Sequence, residues 1–176
     1  MKLKMFSTFA GILFLTTPAL ASPEITDYEV RQRHCLAEAI LFEAGNQPIV
    51  GKIAVGEVIM NRVASNKYPN TICDVVHQGK YNKWWKRKYN KLVPIRNKCQ
   101  FSYYCDGRSD RTDRWARTET WRDVITAIIY VLAADTLLSG FNVTNGATHY
   151  HATYVTPAWS KYLIFTVRIQ DHKFYK

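Results

Sequence analysis

Two glutamates and a run of polar residues near the C-terminus are the groups in this 176-residue chain whose types and spacing suit proton chemistry. Glu43 ends the stretch His34-Cys-Leu-Ala-Glu-Ala-Ile-Leu-Phe-Glu43, whose apolar residues recur at helical spacing. At about 100° per residue, Leu36, Ile40 and Glu43 share a narrow arc flanked by Ala37, Ala39 and Ala44. Glu43 therefore points toward the core, whereas Glu38 projects to the opposite, solvated face. Partial burial and the negative end of the helix dipole both act to raise the pKa of Glu43. A carboxylic acid kept protonated near neutral pH at a cleft wall can protonate a leaving-group oxygen, as in glycoside cleavage. A structural glutamate, paired with an arginine or holding a backbone amide, satisfies the same pattern. Glu57 is a second inward-leaning carboxylate on the next helix. His149 and His151 lie two apart on a strand and share a face, with His172 available from the chain end. Three histidines suit a metal, but no H-E-x-x-H pattern accompanies them, and polar residues lining a sugar cleft need the same alternation. No metal or other cofactor is expected.

These groups need elements to position them. Thr26-Asp-Tyr-Glu29 has capping-box form and predicts a first helix over 27–44. Gly45 with Asn46 reads as its left-handed stop, and Pro48 as the first turn of a second helix over 48–64. That helix carries Val50, Ile53, Ala54, Glu57 and Asn61 along one side, with Gly51 and Gly56 allowing another helix close approach. Thr71 caps a short helix over 72–78. The longest helix falls within 111–140, capped by Thr112 or Asp113 and stopped by Gly140. It sets Trp121, Ile125, Ile128, Leu132 and Asp135 on adjoining turns as the central core helix. Alternation then predicts strands over 147–155 and 162–169, joined by the turn Thr156-Pro-Ala-Trp159. The fold class is α+β, mainly helical, with a small C-terminal antiparallel sheet.

Composition sets the compartment. Lys2 and Lys4, the apolar run 5–15 and Ala19-Leu-Ala21 make residues 1–21 a signal peptide, so the chain is expected in the periplasm or outside the cell. Residues 22–176 then form a single domain. The longest later apolar run, 124–134, is too short to cross a bilayer. The formal charge of +10 becomes 22 basic against 14 acidic residues once the signal is removed, which favours a polyanionic partner. Four cysteines in an exported domain favour disulfides. Of three possible pairings, Cys35–Cys73 ties the opening helix to a later one and Cys99–Cys105 closes a short loop. Zinc is disfavoured because no CxxC pair is present. Residues 79–98 form a basic aromatic loop. From Lys80 to Lys98 it holds eight Lys or Arg and no acid, with Tyr81, Trp84, Trp85 and Tyr89 interleaved. Such a segment either stacks rings on sugars or bases or packs down on the domain.

Ordered motifs add a resemblance. Cys35-Leu-Ala, Phe42-Glu-Ala, Pro48-x-x-Gly51-Lys-Ile-Ala-Val, Asn61-Arg-Val, Tyr68-Pro-Asn-Thr-Ile-Cys73-Asp-Val-Val, Cys99-Gln-Phe-Ser102, Cys105-Asp-Gly107, Gly146-Ala-Thr-His-Tyr-His151, Pro157-x-Trp159 and His172-x-Phe-Tyr175 resemble the SleB-type cell-wall hydrolases, which include spore-cortex-lytic enzymes. The resemblance spans about residues 34–175. It implies a lysozyme-like fold and peptidoglycan glycan strands as substrate. It also implies cleavage between N-acetylmuramic acid and N-acetylglucosamine, often by lytic transglycosylation. The catalytic glutamate, first in an E-A-R-G-E motif, corresponds to Glu43; here the motif reads Glu43-Ala-Gly-Asn-Gln47. The glycine usual before the last motif is replaced by Gln170. Glu57, and behind it Asp106, are the reserves for a second acid. Gln100, Phe101, Ser102, His149, Tyr150, His151 and Trp159 are expected to bind glycan. The expected protein is a monomeric enzyme that also meets anionic envelope polymers and binds no nucleic acid. The competing classes are a wall-binding module without chemistry, and a secreted nuclease or nucleic-acid binder built on the basic loop.

Overall fold

The computed structural model describes residues 24–137 and 142–176; the signal peptide read in residues 1–21 and the stop at Gly140 lie outside them. Helix α1 (Asp27–Ala44) starts where its capping box places it. The Thr26 hydroxyl accepts from the Glu29 N–H at 3.2 Å, and the Glu29 carboxylate accepts from the Thr26 N–H at 2.8 Å. Its far end differs from expectation. Gly45 is right-handed, with φ of -59°. Glycine is needed there for room, since a Cβ would lie 2.4 Å from the Leu41 carbonyl oxygen.

Pro48 is the N-cap of α2 (Ile49–Val63) rather than part of its first turn. This helix packs against α1, against α3 (Ile72–Val76) and against α5 (Glu119–Leu137). Gly56 sets the spacing, because a Cβ there would meet Val131 at 2.9 Å and Ile40 at 3.1 Å, on both neighbours at once. Gly51 instead lies against the Gln47 side chain and not against another helix. Thr71 caps α3 as expected, its side chain accepting from the Asp74 N–H at 3.2 Å.

Helix α5 begins later than its acidic and threonine signals suggested. Thr112 and Asp113 open a separate 3-10 turn, and Thr118 accepts the Trp121 N–H at 3.2 Å ahead of α5. Its buried face is Val124, Ala127, Ile128 and Val131, with Trp121 and Leu132 of the expected stripe packed against it; Ile125 is instead left 39% exposed, and the side chain of Asp135 lies outside the described residues. The small residue Ala127 lets α5 come close to α1 and α2, which bulk alone did not indicate.

The C-terminal sheet has three strands, not two. Strands β3 (His149–Ala152) and β4 (Phe165–Ile169) flank β5 (His172–Tyr175), all antiparallel. Register pairs Tyr150 with Phe174 and Ala152 with His172, so these four share one face. Phe174 on that face packs with Ala54 and Val58 of α2, tying sheet to helices. The basic loop also has structure of its own: β1 (Gly79–Tyr81) and β2 (Pro94–Cys99) form a two-stranded ribbon around α4 (Lys83–Tyr89).

Both expected disulfides are present, Cys35–Cys73 and Cys99–Cys105. In a loop-entropy account the first, which closes the longer loop, stabilises by about 4 kcal/mol and the second by about 2 kcal/mol. Among the described residues no helix is long and apolar enough to cross a membrane.

Candidate active site

Three elements converge on Glu43. It occupies the last turn of α1, half-buried, and its carboxylate is held from two sides. The backbone N–H of Ser102, just past β2, donates to Oε1 at 3.2 Å, and the Tyr150 hydroxyl on β3 donates to Oε2 at 3.1 Å. The carboxyl opens on a cleft of about 360 Å³. Its lining is Glu43, Arg62, Gln100, Phe101, Ser102, Tyr150, His151, Ala152, Tyr154, Val155 and His172.

Burial dominates the electrostatics. Desolvation pushes the Glu43 carboxyl above the usual carboxylate range, opposed by the hydrogen bonds from Tyr150 and Ser102 and by the Arg62 charge. Burial, and then the neighbouring Glu43 charge, raise the Tyr150 phenol well above its ordinary value, so it stays a donor. Arg62 is 3% exposed. Its Nε donates to the Thr148 carbonyl at 2.7 Å, and its guanidinium lies 5.3 Å from both the Tyr68 and Phe101 ring centroids. Its Nη1 is buried with no hydrogen-bond partner among the described residues. A cation half-enclosed by rings and one carbonyl keeps donor capacity for something that enters the cleft.

Of the expected glycan contacts, Gln100, Phe101, Ser102, Tyr150 and His151 line the cleft. Phe101 is 2% exposed and acts as its floor. His149 and Trp159 stand outside that lining. Strand alternation does place His149 and His151 against one partner, the Trp159 ring, at 5.4 and 5.6 Å. His172 instead contacts Tyr150, 5.1 Å between ring centroids. The three histidines therefore do not converge, and no metal-holding group of three His, Cys, Asp or Glu occurs among the described residues.

Neither reserve acid reaches the cleft. Glu57 accepts the Val143 and Thr144 N–H groups, each at 3.0 Å, and anchors the segment leading into β3. Asp106 accepts the Arg108 N–H at 2.7 Å in a turn beside Gly107. The residues replacing the second half of the E-A-R-G-E motif are also outside the lining. Gln47 is buried and its side-chain amide donates to Asp171 at 3.1 Å, joining the α1–α2 turn to the β4–β5 turn. Glu38, read as fully solvated, is half-buried beside His34 at 3.4 Å, and its burial raises its pKa.

Arg62, Ala152, Tyr154, Val155 and His172 are the cleft residues that sequence reasoning did not assign to substrate. Arg62 had a signal: it falls on the stripe of Val55, Val58 and Ile59, where a charge needs a reason. Tyr154, 86% exposed at the rim, had none.

Comparison with known proteins follows the same lines. The profile of the cell wall hydrolase family matches residues 46–175, beginning just after Glu43. A spore cortex-lytic enzyme of Bacillus cereus is 35% identical over 51 residues, which are 29% of this chain and 20% of the enzyme. The aligned part thus spans about a fifth of that relative's length. The catalytic domain of the Bacillus cereus SleB protein superposes with a TM-score of 0.50 at 22% identity, over 84% of this chain and 91% of that domain. The catalytic domain of the germination-specific lytic transglycosylase SleB from Bacillus anthracis gives 0.52 at 21% identity, over 87% of this chain and all of that domain. At those identities the two structures speak for the fold, and the α+β arrangement described above is theirs as well. With most of its length matched by the family profile, the chain belongs to the cell wall hydrolases.

Proposed function

We propose that this protein is an exported enzyme that cleaves the peptidoglycan glycan strand at the N-acetylmuramic acid–N-acetylglucosamine bond, with Glu43 as acid and base. The observation that carries this reading is a half-buried carboxyl of raised pKa on an open cleft, held by donors on two other elements. Family membership supports the substrate class, and the Bacillus anthracis neighbour, a lytic transglycosylase, supports the reaction.

Glycosidases that use water pair two carboxylates across the bond, about 5–9.5 Å apart. Glu43 is the carboxylate of this cleft's described lining, and Glu57 and Asp106 are committed elsewhere. A single acid suffices for transglycosylation. The Glu43 carboxyl donates its proton to the bridging oxygen as the bond from muramic C1 to that oxygen breaks, releasing the N-acetylglucosamine hydroxyl. The resulting carboxylate then takes the proton of the muramic 6-hydroxyl while O6 bonds to C1. The products carry a 1,6-anhydro ring, and Glu43 is protonated again. Tyr150 and the Ser102 N–H steady the carboxylate between the two transfers. Arg62 sets its buried guanidinium in the cleft wall, where its charge favours an acyl carbonyl or carboxylate of the substrate. Gln100, Ser102, His151 and Tyr154 supply the remaining polar and stacking contacts along the groove.

Digestion of purified sacculi, followed by mass spectrometry of the released muropeptides, tests this. Anhydromuramic ends are expected from the parent chain and none from Glu43→Gln. Reducing ends would replace the transglycosylase step with hydrolysis, and no products from the folded parent would overturn the enzyme reading in favour of a wall-binding module.

A further inference from the structure

We propose that the β1–α4–β2 ribbon is a docking surface for an anionic phospholipid bilayer. This surface lies apart from Glu43 and does not depend on the chemistry assigned to it. Lys80 to Lys98 carries eight basic residues and no acid, so nothing within the ribbon neutralises its field. Within α4 three of the four charges separate from the rings. At about 100° per residue, Lys83, Lys86 and Arg87 fall in one arc and Trp84, Trp85 and Tyr89 in another. Lys88 falls inside the aromatic arc, between Trp84 and Trp85, its Nζ 5.0 Å from the Trp84 ring and 5.2 Å from that of Tyr89.

The apolar side is uncovered. No residue of α4 is buried. Trp84, Trp85 and Tyr89 pack on one another with ring centroids 5.1 to 5.6 Å apart. They remain 49%, 38% and 52% exposed, and Leu92 and Ile95 nearby are 58% and 41% exposed. Of the two alternatives left open by the sequence, packing down on the domain holds for Tyr81, whose hydroxyl donates to the His77 carbonyl, and not for Trp84, Trp85 and Tyr89.

The mixture of groups selects the partner. A sugar or base platform needs flat ring faces free to stack on the ligand, and cations alongside suit it as well as they suit a bilayer, so the rings and the aliphatic residues decide between them. Here Trp84 meets Trp85 and Tyr89 edge-on, Trp85 and Tyr89 are tilted by 36° against each other, and Leu92 and Ile95, exposed beside them, have no planar face to offer. At a bilayer surface each part has a place. Tryptophan and tyrosine settle at headgroup depth, aliphatic side chains reach the acyl boundary, and lysine and arginine meet anionic headgroups. The ribbon runs directly from β2 into Gln100, Phe101 and Ser102 and is bridged there by Cys99–Cys105, so docking would fix the direction in which the cleft faces.

The test uses protein recovered after export, with its N-terminus read by mass spectrometry so that residues 1–21 are known to be absent. Sedimentation with phosphatidylcholine vesicles, with and without phosphatidylglycerol, is compared at about 50 and about 500 mM salt. Binding is expected to be at least about tenfold tighter to the anionic vesicles and to weaken with salt. Joint Lys83→Gln, Lys86→Gln, Arg87→Gln and Lys88→Gln should erase the preference. Brominated acyl chains should quench parent fluorescence, and Trp84→Ala with Trp85→Ala should remove that quenching while leaving cleavage of soluble glycan fragments unchanged. Equal binding to both vesicles, absence of quenching in the parent, or binding to lipid-free sacculi without binding to vesicles would each overturn the proposal.

Discussion

Glu43 and Glu57 are both glutamates with raised pKa and two hydrogen bonds to their carboxylates, one at the end of α1 and the other in the middle of α2. They differ in what surrounds those bonds. Glu57 is closed in by two backbone amides of one segment, at ideal distance, and is 3% exposed. Glu43 takes one amide and one phenol from two different elements and leaves a side open to a cleft. A perturbed carboxylate therefore marks a site only where its partners leave room for a reacting atom; where amides fill both oxygens, the same perturbation marks an anchor.

The largest expected contrast is in activity. Glu43→Gln should lower cleavage of sacculi about 10²–10⁴-fold, the usual range for loss of a general acid. Activity near the parent's would break the comparison. Glu57→Gln should instead leave the specific activity of the folded fraction near that of the parent. It sets an amide NH₂ against a backbone N–H, which should cost about 1–3 kcal/mol in denaturant melts. A stable Glu57→Gln protein with lost turnover would reverse the two roles.

A pH titration of stability sharpens the same point. A carboxyl whose folded pKa is raised binds its proton more tightly when folded, so its favourable contribution is full below the unfolded value of about 4.3 and is lost as pH rises through the folded value. Glu43→Gln removes that loss while Oε1 of the glutamine can still accept a hydrogen bond. Its melting temperature should exceed the parent's near neutral pH, and the difference should shrink as the pH is lowered toward the carboxyl range. A mutant melting below the parent near neutral pH would show that the ionised carboxylate is, on balance, stabilising there.

Smaller effects follow from the partners. Tyr150→Phe removes a hydrogen bond that lowers the Glu43 pKa, so the alkaline limb of the pH–rate profile should move upward, with a loss of about tenfold or less in peak rate. Least is expected from Gln47→Glu, which restores the acid usual at this motif position. Placing a carboxylate against Asp171 should cost about 1 kcal/mol of stability and add no activity, since Gln47 lies outside the cleft lining. A marked gain in rate would move Gln47 into the site.

What sequence made legible was local and periodic. The Thr26–Glu29 box, the inward Glu43 and the α3 cap each depend on residues within one or two turns. The cysteines, four in a chain read as exported, limited their own pairings. Strand β5 escaped because it is short and its turn is disguised. Gln170 adopts φ of 51°, in the left-handed region that favours glycine, so the residue that would have announced a hairpin is absent. The hairpin nature of 79–99 was hidden by a composition that looked like a loop, although Asn82 as cap and Asn90 in left-handed geometry now explain the limits of α4. The α5 face was misjudged because large residues were assigned to the core ahead of Ala127 and Val131. The closed environment of Glu57 was not readable at all, since its partners Val143 and Thr144 lie 86 and 87 residues away and contribute only backbone.

The Cys99–Cys105 bridge brackets the very backbone that donates to Glu43. Closing so short a span ties the geometry of the proposed general acid to the oxidation state of two thiols outside the cleft lining. A newly made chain still in a reducing cytoplasm is therefore expected to hold Ser102 loosely and to be a poor catalyst, gaining its full rate only on oxidation. With the export and activity proposed above, that is latency by compartment: the cell that synthesises a wall-cutting protein would be shielded from it until the protein has left.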